Sequence, residues 1–286
     1  MRSNDYRTKW RAEGARLAQF AAMEALTDIG LNLTHDSFDA DRDAVLERAR
    51  SAGVERFIVT GTTVMHSAKA LELAKTQPGR LYATAGVHPH YAQEFDEHTA
   101  DALRALLPSP EVVAVGECGL DFFRNFSPVE AQISAFKAQL ELAADAGLPV
   151  FLHQRDAFEP FVDILSMFRE HLSGGVAHCF TGGLDELEPL LELDLYIGIT
   201  GWICDERRGE ALREAAARIP LDRVLIETDA PYLMPRNLPE KPKTRRNEPV
   251  HLPHILHELS AALGEPAEDV ARATRENTTT LFRLES

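Results

Sequence analysis

Short apolar segments alternate with amphipathic segments along most of the chain. The apolar segments are typical of strands that are buried on both faces of a parallel sheet. The amphipathic segments carry apolar residues at helical spacing. We predict eight strands, at 28–33, 56–61, 81–86, 112–117, 149–153, 174–178, 195–200 and 223–229. We predict helices at 41–53, 66–77, 98–107, 128–147 and 248–263, with further helical stretches between the later strands.

This alternation defines the expected fold. Strands that alternate with helices favour a parallel sheet, and eight such units favour one closed (β/α)₈ TIM barrel over a doubly wound sheet. We expect the barrel to occupy residues 27–286, after a short N-terminal extension, residues 1–26, that is either helical or poorly ordered. Met23 lies just before the first strand, so the sequence leaves open whether Met1 or Met23 is the native start.

Charge and cysteine content restrict the classes of function. The formal net charge of -15 disfavours binding of a nucleic-acid duplex through a broad basic surface, although a local basic patch or a bound cation could still attract an anion. The three cysteines form no CxxC pair, which favours a reducing compartment, and we expect a cytoplasmic protein. No apolar run approaches membrane-spanning length, so we expect no membrane partner. We expect a monomer, although no sequence feature tests the oligomeric state.

Polar residues end four of the predicted strands. Glu117, His153, His178 and Asp229 end strands four, five, six and eight. In such barrels the chemistry lies at the C-terminal ends of the strands. A single histidine or glutamate there is more often a hydrogen-bond or ion-pair partner, but four together favour a site. Imidazole and carboxylate ligands suit Zn²⁺ or Mn²⁺, and carboxylates also suit Mg²⁺.

Strand periodicity is the reason to expect these side chains to converge. Side chains alternate between the two faces of a strand. On this pattern one face of strand four carries Val113, Val115 and Glu117, one face of strand five carries Phe151 and His153, and one face of strand eight carries Leu225, Glu227 and Asp229. We therefore predict that the four polar side chains point together into the barrel mouth.

Seven motifs, in order over about residues 27–283, resemble those of one family. They are "TAGVHPH" (84–90), "VGECGLDF" (115–122), "PVFLHQRDA" (149–157), "AHCFTGG" (177–183), "GITGWICDERRG" (198–209), "IETDAPYL" (226–233) and "RRNEP" (245–249). The chain resembles the TatD family of metal-dependent hydrolases. The resemblance implies a TIM barrel of the metal-dependent hydrolase type. It also implies a Mg²⁺-dependent 3′–5′ exonuclease that acts on the 3′ ends of single-stranded DNA or RNA and is linked to DNA repair.

Strand one departs from the family pattern. Most relatives carry an HxH pair there, whereas this chain has Gly30 and Asn32 at those positions. Glycine offers no ligand and an asparagine carbonyl is a weaker one, and His35 lies three residues too late to replace Asn32. We therefore expect one firmly bound metal ion, with Mg²⁺ favoured over Mn²⁺ or Zn²⁺, and an uncertain second ion.

The remaining candidate residues have roles in catalysis or substrate binding. We expect Asp229 to act as the general base, Glu117 to act as a ligand and His88 to donate a hydrogen bond to a phosphate oxygen. The predicted substrate-binding residues are His88, His90, Arg155, Trp202, Arg207, Arg208, Arg245 and Arg246. Phe122, Phe123 and Trp202 could stack bases. The opposing interpretations are a solvated charged run at "KPKTRR" and aromatic packing on top of the barrel.

Two other functions remain open from the residues alone. One is metal-dependent hydrolysis of a small amide or ester in the same barrel, which would not need a cationic rim. The other is a non-catalytic, metal-stabilised scaffold, which an intact set of four ligands argues against.

Overall fold

Eight parallel strands form one sheet whose spatial order follows the sequence. The structure is a computed structural model, and it describes residues 25–240 and 242–285. The strands are β1 (Leu26–Leu31), β2 (Val54–Val59), β3 (Leu81–Ala85), β4 (Val112–Asp121), β5 (Val150–Arg155), β6 (Gly175–Ala177), β7 (Tyr196–Ile199) and β8 (Val224–Ile226).

Helices connect the strands and cover the outside of the sheet. The α-helices in the described chain are α1 (Arg42–Ser51), α2 (Val64–Thr76), α3 (Glu97–Leu106), α4 (Val129–Ala146), α5 (Phe158–Phe168), α6 (Leu184–Glu192), α7 (Glu210–Ala216), α8 (Leu252–Leu263) and α9 (Ala267–Phe282). Short 3₁₀ segments lie at Asp36–Phe38, Pro89–Glu94, Arg169–His171, Gly201–Cys204, Leu221–Arg223 and Pro249–His251. No helix in these described ranges is both long and apolar enough to span a bilayer.

The first and last strands meet, so the sheet is a nearly closed barrel. A parallel bridge joins Leu31 to Ala230, and the backbone N–H of Asp229 donates to the carbonyl of Gly30 at 2.9 Å. The buried carboxylate of Asp28 accepts from the backbone N–H of Thr228 at 2.9 Å. The predicted (β/α)₈ barrel is confirmed. The proposed N-terminal extension lies almost entirely outside the described residues.

Two apolar layers fill the molecule. The larger layer lies between the strands and the helices. The smaller one fills the barrel interior with Ile29, Ile58, Phe151, Val176 and Leu225. Leu281 and neighbouring residues at the end of α9 join this interior layer near Gly174, which precedes β6. They close the N-terminal end of the barrel, so the open mouth is at the C-terminal ends of the strands.

Two irregularities in β4 change the predicted alternation. Val113 packs in the interior layer but Val115 packs in the outer layer, so the prediction that they share a face is wrong. The pairing of β4 skips one residue at Val113 and another at Glu117. Each skipped residue is a β-bulge, a feature that re-aims side chains next to active sites. The second bulge still directs Glu117 into the mouth.

Strand and helix bounds otherwise lie close to the predicted ones. β4 runs four residues beyond its predicted end at Glu117, whereas β8 stops at Ile226, before the acidic residues that follow it. Helix α9 was not predicted, because its apolar positions are interrupted by threonines and asparagine.

Candidate active site

Three imidazoles surround one carboxylate oxygen at the barrel mouth. Oε1 of Glu117 lies 2.9 Å from Nδ1 of His153, 3.2 Å from Nε2 of His178 and 3.3 Å from Nε2 of His88. Glu117 is only 5% exposed, and a buried carboxylate of this kind needs compensating positive charge or donors. The structure thus brings together three of the four residues predicted as ligands, and adds His88 to them.

Asp229, the fourth predicted ligand, follows β8 and lines the same cavity as Glu117. Asn32 orients it, because the Asn32 side-chain amide donates to Oδ1 of Asp229 at 2.8 Å. Burial raises the pKa of Asp229 to about 7, and the negative charges of Glu117 and Glu227 add to this rise. A carboxyl group with such a pKa can exchange a proton near neutral pH.

Glu227 belongs to the site although it was not among the predicted site residues. It is fully buried, and its Oε2 lies 2.9 Å from Nδ1 of His178. Its Oε1 accepts from the backbone N–H of Cys179 at 2.5 Å. The contact between Glu227 and His178 holds a proton on Nδ1 and directs Nε2 toward Glu117, so Nε2 is the nitrogen that would bind a metal ion after losing its own proton, as in other histidines with such second partners. Its place two residues before Asp229 on one strand face was the signal that could have identified it.

His88 has the opposite tautomer. Its Nδ1 accepts a hydrogen bond from the backbone N–H of His90 at 3.1 Å. Burial lowers the pKa of His88 to about 4, so the ring is neutral at physiological pH and carries its proton on Nε2. The Nε2–H then donates toward Glu117. In this arrangement His88 is a donor, although its position alone would also allow a ligand.

The acidic residues and the histidines shift each other's pKa values. Although burial opposes ionisation, the surrounding imidazoles hold the pKa of Glu117 well below its usual range. The carboxylates in turn raise the pKa values of His153 and His178 against the opposing effect of burial. Asp121 also raises the pKa of His153, because Oδ2 of Asp121 lies 3.4 Å from Nε2 of His153. The cluster therefore attracts positive charge, whether protons or a cation.

The donor set fits a divalent cation. Ligand atoms of His88, Glu117 and His153 all lie within 4.8 Å of one another. Atoms that share one ion at about 2.0–2.3 Å are at most about 4.6 Å apart, so a shift of a few tenths of an ångström suffices. The Nδ1 atom of His153 faces Glu117, whereas its Nε2 atom faces Asp121 at 3.4 Å. A site of imidazoles and carboxylates of this kind is suited to a divalent metal ion.

His90 and Asp121 support this cluster from behind. Nε2 of His90 lies 2.8 Å from Oδ2 of Asp121, and the His90 backbone fixes His88 as described above. The other oxygen of Asp121 accepts from the backbone N–H of Arg124 at 2.7 Å. These contacts hold the cluster in place, and His90, which is predicted to bind substrate, also lines the cavity.

A cavity of about 990 Å³ opens above the cluster. Of the described residues that line it, three are cationic, and we call them the cavity cations: Lys69, Arg124 and Arg155. Acidic residues also line it outside the cluster, namely Asp36, Asp39, Asp156 and Glu186. The positive charge is therefore local, and Arg155 is the one predicted substrate-binding arginine that the structure places in the cavity.

The four other predicted arginines, which we call the loop arginines, do not line the cavity: Arg207, Arg208, Arg245 and Arg246. Arg246 binds both Asp41 and Glu248, each at 2.7 Å. Arg208 pairs with Asp205 at 2.9 Å and covers the ring of Trp202 at 4.3 Å.

The fold and the site together define a metal-dependent hydrolase. A (β/α)₈ barrel with histidines and carboxylates converging at its C-terminal mouth provides the parts that such enzymes need. The family model of the TatD-related DNases matches residues 27–283. The chain belongs to this family, and it is therefore a nuclease, a hydrolase that acts on phosphodiester bonds, with a divalent metal site.

Individual relatives agree with this assignment. The chain is 53% identical over 257 residues to the 3′–5′ ssDNA/RNA exonuclease TatD of Pantoea vagans, covering 90% of this chain and 99% of that protein. It is also 53% identical to the protein of the same name from Edwardsiella piscicida, covering 91% and 100% of the two chains. The crystal structure of YJJV, a TatD homolog from Escherichia coli K12, superposes with a TM-score of 0.83 at 32% identity, covering 91% and 99%.

Proposed function

We propose that this protein is a Mg²⁺-dependent exonuclease that removes nucleotides from the 3′ ends of single-stranded DNA and RNA. The observation that carries the proposal is the buried cluster of three imidazoles around Glu117, beneath a cavity with three cations. Relatives that are 53% identical carry the name of this activity. We further propose a cytoplasmic monomer that acts in DNA repair or nucleic-acid turnover.

We propose Glu117, His153, His178 and Asp229 as the ligands of one firmly bound ion. Glu227 favours this set because it turns Nε2 of His178 toward Glu117. A carboxylate-rich site admits Mg²⁺, and its imidazoles would also accept Mn²⁺ or Zn²⁺. Strand one supplies no histidine, so a second ion would depend on other oxygen atoms, such as those of the substrate phosphate.

The chain's own groups have distinct tasks in phosphodiester hydrolysis. When bound, the ion neutralises phosphate charge and lowers the pKa of water in the site. Asp229 lines the site together with Glu117, and it is placed to accept the proton that the attacking water loses. His88 presents its Nε2–H to the same point and can donate to a phosphate oxygen. The hydrogen bond from Asn32 to Oδ1 fixes the orientation of the Asp229 carboxylate in the site.

The single-stranded substrate follows from the charge and the shape of the mouth. With a net charge of -15, binding has to rely on local contacts, and the cavity cations are the positive groups next to the cluster. A paired end would have to fray before its terminal phosphodiester could reach a buried Glu117. Predicted contacts from the loop arginines would then add to binding farther along the strand.

The direct test is release of mononucleotides from single strands labelled at the 5′ end. We expect stepwise shortening from the 3′ end that requires Mg²⁺ and stops with EDTA, and much slower shortening of a blunt duplex. Equal rates on duplex and single strand would contradict the proposed specificity. Hydrolysis of small amides or esters without any phosphodiesterase activity would contradict the proposed reaction.

A second test separates the cavity cations from the loop arginines. Replacing the three cavity cations by alanine should raise KM for single strands. It should also make the slope of log binding constant against log salt concentration shallower, by about 0.7 for each lost phosphate contact. Replacing the four loop arginines is the matched control, and it should have the smaller effect. The reverse order of effects would place the substrate on the loops instead of in the cavity.

A further inference from the structure

Exposed aromatic rings are concentrated at the barrel mouth. In the described chain, four Phe and Tyr side chains are at least 40% exposed: Tyr91, Phe123, Phe126 and Tyr232. Three of these rings line the cavity, and the ring of Phe126 lies 4.7 Å from His90. Large apolar groups gathered at one opening mark a binding surface more often than chance exposure.

Phe123 is the ring best placed for a planar ligand. It is 54% exposed, and the guanidinium carbon of Arg155 lies 4.0 Å from the ring centroid. Arg124 lies 5.8 Å from the same centroid. Two of the three cavity cations thus adjoin this ring, so a base stacked on it would have its phosphates close to positive charge.

The segment that carries Phe123 is held by hydrogen bonds on both sides. Gln132 in α4 donates to the carbonyl of Ser127 at 2.8 Å and accepts from the backbone N–H of Asp121 at 2.8 Å. Phe122 packs against the outer apolar layer. The ring of Phe123 is therefore presented on an anchored turn, which lowers the entropy lost when a ligand binds.

The other aromatic candidate from the sequence is less available. Trp202 also lines the cavity, but its side chain is only partly exposed, it packs against the outer apolar layer, and its indole nitrogen is buried. An arginine lies over one face of each ring, so it is the greater exposure of Phe123 that favours Phe123. Tyr232 follows β8, on the side of the barrel opposite β4 and Phe123 in an eight-stranded ring. A single-stranded nucleic acid that crosses the mouth from Phe123 toward Tyr232 would pass over the site near Glu117.

We propose that Phe123, supported by Arg155, stacks on a nucleobase of the single-stranded substrate beside the phosphate that is cleaved. The inference rests on the proposed exonuclease function and adds a base-binding subsite to it. Stacking on an aromatic ring accepts every base, because each has a planar face, and it suits a nuclease that degrades strands of any sequence. A small amide or ester would gain nothing from this ring.

The experiment combines Phe123 variants with substrates that lack one base. The substrates are a single-stranded oligonucleotide and three versions with an abasic nucleotide at the first, second or third position from the 3′ end. For the wild-type enzyme, one abasic position should raise KM by about 5- to 150-fold, the usual effect of losing one stacked base. Phe123→Ala should raise KM for the intact strand by a similar factor and abolish the penalty at that position.

Two further variants control for structural effects. Phe123→Trp keeps a stacking surface and should retain the penalty for the abasic nucleotide, whereas Met167→Ala changes an exposed side chain outside the cavity lining and should change nothing. If Phe123→Ala keeps the wild-type ratio between intact and abasic substrates at all three positions, the inference is wrong while the exonuclease function stands. A wild-type enzyme that cleaves no phosphodiester would overturn both.

Discussion

Gly30→Ala should destabilise the protein because of Glu227. A Cβ atom at position 30 would lie 2.1 Å from Oε2 of Glu227 and 3.2 Å from its Cδ. The backbone of Gly30 is outside the left-handed region, so alanine itself would suit the local conformation. The difficulty is therefore the buried carboxylate, which would have to retreat by roughly 1.3 Å to reach the 3.4 Å of ordinary van der Waals contact.

The size of the effect follows from what that retreat breaks. Oε2 of Glu227 is 2.9 Å from Nδ1 of His178, and a shift of this size takes the pair beyond hydrogen-bonding distance. Loss of a charge-assisted hydrogen bond costs about 1.5–3 kcal/mol, and overpacking of a filled interior costs about 1–3 kcal/mol. We expect the free energy of unfolding to fall by about 2.5–6 kcal/mol, the sum of the two costs and a large part of the stability of a typical domain.

The assay is urea unfolding followed by far-ultraviolet circular dichroism in EDTA, so that metal binding does not contribute. Gly183→Ala is the matched control, because its added methyl would meet only the end of the exposed Asp185 side chain. Gly183 is the N-cap of α6, where alanine is less favourable than glycine, so we expect that control to lose no more than about 1 kcal/mol. Equal unfolding free energies for Gly30→Ala and the wild type would refute the reasoning.

A double-mutant cycle assigns the effect to Glu227. Glu227→Ala removes the carboxylate, so adding Gly30→Ala to it should cost less than about 1 kcal/mol. If Gly30→Ala costs the same in both backgrounds, the clash with Glu227 is not its cause. Titration calorimetry with Mn²⁺ gives a second readout, because loss of the partner of His178 should weaken metal binding by about 10- to 100-fold.

Three further predictions concern catalysis and stability. Asp229→Asn should lower turnover by at least about 100-fold with an unchanged circular dichroism spectrum, whereas His35→Ala should leave turnover within a few-fold; equal losses would contradict the assignment of the base. Arg246→Ala should lower the unfolding free energy by about 1 kcal/mol and Arg245→Ala should not, as urea titrations would show. Hydrogen bonds from Arg246 lower the pKa of Asp41 from 3.8 to about 2, so its stabilising contribution is present above pH 4 and is lost as the pH falls through 2. Asp41→Asn should reduce this acid-induced loss by about 1 kcal/mol after allowance for solvent screening, and an unchanged pH profile would contradict it.

The parts of the site that depend on topology alone were predictable. Parallel strands in a closed barrel all end at the same mouth, so residues that end strands meet there whatever their separation in sequence. Glu117, His153 and His178 follow this rule, and the structure brings them around one oxygen atom. The bulge that aims Glu117 was not predictable. A strict alternation of side chains between the two faces assumes that every residue pairs with the neighbouring strand, and it does not show where one residue is skipped.

The parts that depend on tertiary contacts were not predictable. Arg246 lies in a basic run, and its charge suggested a phosphate contact. In the structure it is held by Asp41, 205 residues earlier in the chain. Lys69 and Arg124 line the cavity although nothing in their local sequence separates them from solvated charges. Which cations face a site depends on how helices and loops pack over the barrel, and periodicity does not contain this information.

The departure in strand one has a physical explanation in the segment that follows the neighbouring strand, β8. Glu227 fills the space beside Gly30, and Asn32 donates to Asp229. Both positions therefore accommodate acidic residues that follow β8: Gly30 leaves room for Glu227, and Asn32 donates a hydrogen bond to Asp229. A side chain at position 30 would meet Glu227 while that carboxylate holds His178, so Gly30 and Asn32 help to position the carboxylates of the site. This arrangement favours a site built around Glu117 and the histidines of strands five and six, where one ion would be held.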